Sequence, residues 1–320
     1  MKILFMGSPS FAVLSLNAII NYSLSLNTNN NISVVGVITQ PDKPKGRGYD
    51  LYPTPVKERA IELGIPVYTP DKLKDGAITE LLKEINPDLI VVVAYGKILP
   101  EYILNFTQYG CINVHASLLP KYRGAAPINF AIINGESETG VTTMFMDKGI
   151  DTGDILLKEK TSIYPDDNAE TLHDRLAVIG AELLIKTLDL IIKGKIERIP
   201  QTEVTTYASL IDNKIRRIDF NKNKKDIINL IRGLCPTPSA YTIAEGKNIK
   251  IFKANAAEGI FEGENGDIIY TDENNKLGKG HLSIKVSDGA VIINELQPEG
   301  KKIMTGEEFL RGTKLKRISD

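Results

Sequence analysis

Cysteine is scarce in this chain: two among 320 residues, Cys111 and Cys235, with no Cys-x-x-Cys pair. The three histidines, His115, His173 and His281, are scattered. A zinc site built on these ligands does not fit. Two free thiols in a chain of this size fit a reducing, cytoplasmic setting. Net charge is also nearly absent, at −1. No global field therefore drives the protein onto nucleic acid or membrane, and any polyanion contact must come from a local patch. Long apolar runs are missing. Ile3-Leu4-Phe5-Met6 is cut by Gly7-Ser8-Pro9-Ser10 too early for a signal-peptide core. It reads as a buried first strand and a turn. The longest later run, Leu89 to Ala94, is too short to span a membrane. Gly7 to Phe11 makes a glycine-containing turn without G-x-G-x-x-G, so nothing supports a dinucleotide site.

What is present is the composition of a globular protein, 42% hydrophobic and 25% charged. The chain is too long for one ordinary core, which predicts two domains. Over the first 200 residues strand and helix signals alternate. Strands are expected at Lys2 to Met6, Ser33 to Thr39, Asp88 to Ala94, Cys111 to His115, Val141 to Met146 and Ile155 to Thr161. The uninterrupted Leu89-Ile90-Val91-Val92-Val93 suits a parallel strand covered on both faces. Helices are expected from Phe11 to Tyr22, from Thr54-Pro55 to a stop at Gly64, and from Asn168 to Ile192. The implied fold class is α/β, a doubly wound, mostly parallel sheet of Rossmann-like type. Ser23 to Asn31 is a polar loop.

The pattern changes near residue 200. Ile199 to Ala208 is weakly periodic, and residues 201–208 are read as a linker. Lys224 to Arg232 is expected to be helical. Short strands follow at Ala240 to Ile243, Asn248 to Ala254, Asp267 to Tyr270, Leu282 to Val286 and Ala290 to Leu296. Five short strands between Gly, Asn and Asp turns suggest a small OB-like β-barrel. The expected domains are thus 1–200 and 209–320. From Ser209 onward 19 Lys and Arg stand against 16 Asp and Glu, an excess that ordinary surface variation explains.

Asn113 and His115 lie two residues apart on an expected strand. They therefore share a face, roughly 6.6 Å apart along the chain. Ligand sites in α/β sheets gather at the carboxyl ends of strands. A lone histidine at a strand end is as often a satisfied structural residue. The amide two residues earlier and the loop Asp147-Lys148-Gly149-Ile150-Asp151-Thr152-Gly153-Asp154 shift that balance, because glycines let backbone and carboxylates approach a ligand. The same loop is not an EF-hand, since no glutamate closes it. Cys111 shares the strand face with His115 but lies roughly 13 Å away. A nucleophile must sit within about 3 Å of its base, so Cys111 reads as core.

The run Asn113-Val114-His115-Ala116-Ser117-Leu118-Leu119-Pro120-Lys121-Tyr122-Arg123-Gly124 resembles the signature of the 10-formyltetrahydrofolate-dependent formyltransferases. Gly140-Val141-Thr142 through Ile155-Leu156 resembles their second motif. The resemblance implies a catalytic centre of Asn113, His115 and Asp151. It implies a folate pocket lined by Ser117, Leu118, Leu119 and Pro120 and by Val93, Ala94, Tyr95 and Gly96. The co-substrate would be 10-formyltetrahydrofolate, with no metal.

Within the family, the opening Phe5-Met6-Gly7-Ser8-Pro9-Ser10, the loop Gln40 to Gly48 and the distal half are similar to members that act on tRNA. That narrower likeness implies formyl transfer to the α-amine of methionine on initiator methionyl-tRNA, by a cytoplasmic monomer with no membrane partner. Lys43, Lys45 and Arg47 would be tRNA contacts, the glycines letting the loop follow a groove. Read without the resemblance, this is a solvated surface loop. Lys214, Arg216, Arg217 and Lys222 are further phosphate candidates from local charge alone. Asn113 and protonated His115 would donate to the oxygen that gains charge as the formyl carbon becomes tetrahedral. Asp151 would keep His115 charged and hold a water for proton transfer. The rival expectations are a formyltransferase acting on a small-molecule amine, such as an amino sugar or purine precursor, and a non-catalytic RNA-binding protein on the same fold.

Overall fold

A computed structural model describes residues 1–25, 32–44, 51–259, 261–269, 281–312 and 315–318. Two compact units emerge. The first comprises residues 1–127, 139–162 and 173–208; the second comprises 128–138, 163–172 and 209–320.

Seven strands build the sheet of the first unit: β1 (Lys2–Gly7), β2 (Ser33–Ile38), β3 (Val67–Tyr68), β4 (Leu89–Val93), β5 (Cys111–His115), β6 (Glu138–Phe145) and β7 (Ile155–Ser162). Their spatial order is β7-β6-β5-β4-β1-β2-β3. All five residues of β4 are buried, as its unbroken apolar run requires of a strand covered on both faces. The β1–β2, β1–β4, β2–β3 and β4–β5 pairs are parallel. The β5–β6 pair is antiparallel, setting Asn113 beside Met144 and His115 beside Thr142. The sheet is therefore mixed, with its parallel part at the centre.

Helix α1 (Ser10–Ser25) follows β1 and buries Phe11, Ala12, Leu16 and Ile19. Helix α2 (Pro55–Glu62) is capped by Thr54, whose hydroxyl accepts from Lys57 N at 3.1 Å, with proline at its first turn. Helix α3 (Ala169–Ile192) buries Leu176, Leu183, Leu184, Leu188 and Ile191 as a stripe. His173 meets the Phe11 ring edge-on at 5.3 Å, and Thr187 shares a hydroxyl bond with Thr143 at 2.8 Å. Short helices at Thr79–Ile85, Glu101–Leu104 and Pro127–Ile133 also form. They carry too few turns to show a 3.6-residue period, and the sequence reading did not anticipate them.

The stretch read as a linker runs along the first unit instead. Ile199 bridges Ile155, and Tyr207–Ala208 pairs in parallel with Arg123–Gly124.

In the second unit, strands Ala240–Ala244, Lys247–Ala257, Ile268–Ile269, Leu282–Val286 and Gly289–Pro298 form an antiparallel sheet curled into a half-barrel, with Met304–Thr305 off its main path. Helix Lys224–Leu234, capped by Asn223, closes it with Ile227, Ile231 and Leu234. Two segments from earlier in the chain belong here. Asn129 Nδ2 donates to Gly233 O at 2.7 Å, and Arg232 Nη1 donates to the carbonyls of Tyr164, Pro165 and Asp167.

Candidate active site

Three parallel strands, β1, β4 and β5, end side by side: Gly7 pairs with Val93, and Val92 pairs with Asn113. Their carboxyl ends form one polar edge. Ser8 Oγ accepts from Gln40 N and from Thr39 Oγ1, and Thr39 Oγ1 meets Thr54 Oγ1 at 2.6 Å. Gln40 Nε2 donates to the Tyr95 carbonyl at 2.7 Å and holds the turn after β4.

Asn113, His115 and Asp151 converge at the end of β5. Asp151 Oδ1 lies 3.5 Å from Asn113 Nδ2, and Asp151 Oδ2 lies 3.6 Å from His115 Nδ1. Asp151 Oδ2 also accepts from Gly124 N at 2.8 Å. His115 Nε2 sits 2.9 Å from the Tyr122 carbonyl. A carbonyl only accepts, so Nε2 carries a proton and Nδ1, facing the carboxylate, is the nitrogen left to gain or lose one. His115 is 6% exposed, which keeps this contact out of bulk water. An amide has two N–H hydrogens, so Asn113 retains capacity for a second acceptor.

The turn between β5 and β6 is internally bonded. Ser117 Oγ donates to Lys121 O at 2.6 Å, Thr142 Oγ1 donates to Ser117 O at 2.7 Å, and Leu119 N donates to Thr142 Oγ1 at 3.1 Å. Lys158 Nζ donates to the Leu119 carbonyl. Burial, then Lys160, lowers the pKa of this lysine. Gly124 has a positive φ, and a Cβ there would lie 2.6 Å from Ala208 O.

Asp151 is a non-glycine residue with φ 53°. Such a conformation persists when its surroundings over-determine it. Gln201 Nε2 donates to the carbonyls of Asp151 at 2.8 Å and Gly153 at 2.7 Å. Gln201 Oε1 accepts from Arg123 Nε at 3.0 Å and Nη2 at 2.7 Å. Asp147 Oδ1 accepts from Gly149 N and Thr152 Oγ1.

The folate candidates differ in accessibility. Ser117 and Leu119 are fully buried, Leu119 packing on Met144 and Ile155. Val93 and Tyr95 are buried too, while Ala94 is exposed and Leu118, Pro120 and Gly96 keep partial or full exposure. Cys111 is core: its thiol points at the Ile103 and Leu104 carbonyls, and burial pushes its pKa up to about 12. Lys43 Nζ donates to Gln40 Oε1 at 2.7 Å. Lys45 and Arg47 lie outside the described residues.

In the second unit Lys214 and Arg217 line a cavity of about 440 Å3 with Phe220, Asn221 and Arg317. Lys222 is exposed. Arg216 is half-buried and already has partners within the unit. Its guanidinium donates to Ser239 O, Pro238 O and Asn213 Oδ1. Among the described residues no cluster of three or more His, Cys, Asp or Glu is arranged to hold a metal, and no helix is long and apolar enough to cross a membrane.

Sequence reasoning missed Gln201, and it gave no role at this edge to the Gln40 amide or to the Tyr122 carbonyl. Arg123 sat inside a quoted motif without a role. Gln201 stands in an aperiodic run that carries no signal.

Comparison with known proteins gives two family models: "Formyl transferase" over residues 1–188 and "Formyl transferase, C-terminal domain" over residues 210–314. A curated methionyl-tRNA formyltransferase of Geotalea daltonii is 48% identical, the match covering 98% of this chain and 96% of the relative. That of Caldanaerobacter subterraneus subsp. tengcongensis is also 48% identical, over 98% and 97%. Among solved structures, the N-formyltransferase from Helicobacter canadensis in complex with folinic acid and dTDP-3-aminofucose has a TM-score of 0.64 at 24% identity, covering 92% of this chain and 98% of that one. HypX from Aquifex aeolicus in complex with tetrahydrofolic acid has a TM-score of 0.62 at 18% identity, covering 97% and 47%.

Proposed function

The chain belongs to the formyl transferase family, and on that premise we propose that it transfers the formyl group of 10-formyltetrahydrofolate to the α-amine of methionine on initiator methionyl-tRNA. The observation that carries this reading is the near-full-length likeness to curated relatives of that activity, across both family domains. The enzyme works as a cytoplasmic monomer in translation initiation.

The edge at the strand ends fits the folate donor. Exposed Ala94 and partly exposed Leu118 and Pro120 offer apolar contact, beside one amide donor on Asn113. The folate supplies an electrophilic formyl carbon; everything else falls to the chain. Asn113 donates to the formyl oxygen as that oxygen gains charge. Preorganised donors of this kind are worth about 2.7–4 kcal/mol each. His115 bears a proton on Nε2 and exchanges one at Nδ1. Asp151, 3.6 Å from Nδ1, takes the amine's proton through a water, and that proton passes to the folate nitrogen as its bond to the formyl carbon breaks. The second unit and the Lys43–Arg47 loop hold the tRNA.

The test is formyl transfer by the purified protein with 10-formyltetrahydrofolate and charged initiator tRNA, against charged elongator methionine tRNA. Preference for the initiator is expected. Transfer to an amino sugar nucleotide or purine precursor but not to tRNA overturns the acceptor. Asn113→Ala, His115→Ala and Asp151→Ala are each expected to lower kcat by about 10²-fold or more with the fold retained. A folded Asp151→Ala protein of near-native activity removes the triplet from the mechanism.

A further inference from the structure

We infer that Gln201, held by Arg123, is a positioning residue for the reaction: it sets the backbone of Asp151 and thereby aims that carboxylate at His115 and Asn113. This inference rests on the proposed function for its kinetic arm. Gln201 lies outside both family models, which end at 188 and resume at 210.

The geometry is that of one amide using both its ends. Nε2 donates twice, to the carbonyls of Asp151 (2.8 Å) and Gly153 (2.7 Å). Oε1 accepts twice, from Nε (3.0 Å) and Nη2 (2.7 Å) of Arg123. An amide offers two hydrogens and two lone pairs, so these four contacts use its whole capacity. Arg123 is 7% exposed, so its guanidinium orients Gln201 from within the protein and has little freedom to swing away.

Arg123 is also the middle of the turn that completes the site. Its neighbour Tyr122 gives a carbonyl to His115 Nε2, and its other neighbour Gly124 gives an N–H to Asp151 Oδ2. Gln201 therefore bridges the two backbone segments that flank the triplet, the 122–124 turn and the 151–153 loop. His115 and the Asp151 carboxylate also span the two segments, and Gln201 adds a brace that reaches the backbone of the 151–153 loop. Asp151 sits at a left-handed φ of 53°, a conformation that persists when its surroundings hold it. Removing the two donations frees that loop to relax toward an ordinary conformation, turning the carboxylate from its partners.

Gln201→Glu separates this role from mere stapling. Glutamate keeps the contact with Arg123 and adds charge to it, which favours a folded protein. It cannot donate to the Asp151 and Gly153 carbonyls and sets oxygen against oxygen there. The expected result is a melting temperature near wild type, a kcat lower on the order of tenfold to a hundredfold, and KM values for both substrates little changed. In an Asp151→Asn background the same substitution should lower kcat less than about twofold, since the group it aims is already gone. Gln201→Met, of similar length and with no amide, repeats the measurement if the glutamate variant fails to fold. Wild-type kcat in a folded Gln201 variant overturns the inference. So does a full multiplicative loss in the Asp151→Asn background, which would mean that Gln201 acts elsewhere.

A second readout needs no turnover. The His115 ring chemical shifts at a fixed pH should move in Gln201→Met in the same direction as in Asp151→Asn. No movement overturns the inference, even if the wild-type enzyme proves to act on another amine. Absence of formyl transfer by the wild type, with the His115 signals moving as expected, overturns the proposed function and leaves Gln201 in its role.

Discussion

Gly153→Ala puts the geometry of the Asp151 loop to a quantitative test. A Cβ built on Gly153 falls 1.9 Å from the Phe145 carbonyl oxygen and 2.9 Å from its carbon. Real Cβ contacts do not fall below 3.0 Å, so the loop and the end of β6 must part by at least 1.1 Å, the amount by which 1.9 Å falls short of 3.0 Å. Both neighbours are backbone, so no flexible side chain absorbs the shift. The separation stretches the Phe145 N to Asp154 O bond, now 2.9 Å, and the Gln201 bond to the Gly153 carbonyl. Overpacking of this kind costs about 1–3 kcal/mol, and a lost hydrogen bond about 1 kcal/mol more. The larger effect falls on rate. A misplacement of about 1 Å at a reacting centre lowers turnover about 10²-fold. The assay is kcat at saturating substrates alongside the melting temperature. Gly194→Ala supplies the control: it has φ +62° and nothing within 4 Å, so alanine there strains only the backbone, by about 1–2 kcal/mol. That variant should melt lower with kcat unchanged. If Gly153→Ala turns over like wild type, or Gly194→Ala loses as much kcat, the claim that this loop's placement controls catalysis fails.

Other expectations can be checked independently. Tyr95 is 1% exposed and its hydroxyl has no hydrogen-bond partner among the described residues. Tyr95→Phe should therefore leave stability unchanged or raise it by about 1 kcal/mol, read as the urea midpoint; a loss above about 1 kcal/mol would mean that the hydroxyl is satisfied. Burial raises Cys111 from 9.0 to about 12 and Tyr95 from 10.0 to about 12. Both groups stay protonated longer when folded, so the stability they contribute is complete below pH 9 and falls from there toward pH 12. Alkaline unfolding in that window should weaken in Cys111→Ala, and Cys111 should resist alkylation at pH 8 until urea is added. Arg47→Ala should raise KM for tRNA or erode its discrimination, with the KM for folate unchanged; kinetics unchanged from wild type on both initiator and elongator tRNA would show that the loop does not contact tRNA.

The parallel heart of the fold was legible because its strands are buried on both faces. Leu89 to Val93 has no polar residue to hide, so composition alone identifies it. Cap chemistry did the same for Pro55–Glu62. The antiparallel placement of β6 was not legible, since strand direction depends on how the chain returns from β5 and leaves no periodic mark. The triplet was readable from two motifs. Its support was not: Gln201 acts through backbone carbonyls, which every residue has, from a stretch with no hydrophobic rhythm. Arg216 misled in the opposite sense. A cation beside other cations suggests a phosphate contact, and charge alone gives no sign that its guanidinium also donates to the Pro238 and Ser239 carbonyls.

The strand pairing of Tyr207–Ala208 with Arg123–Gly124 bears on how this enzyme can be cut and recombined. A fragment ending at residue 188 would encode all three members of the triplet and still be an unfinished machine. It would lack Gln201, the Thr206 hydroxyl and carbonyl that receive Tyr122 N and Arg123 N, and the Ala208 carbonyl that receives Ala125 N. The natural seam for a chimaera lies after Ala208. A foreign second half grafted there should keep these contacts, provided it also matches residues 128–138 and 163–172, which pack in the second unit; a graft made twenty residues earlier loses them.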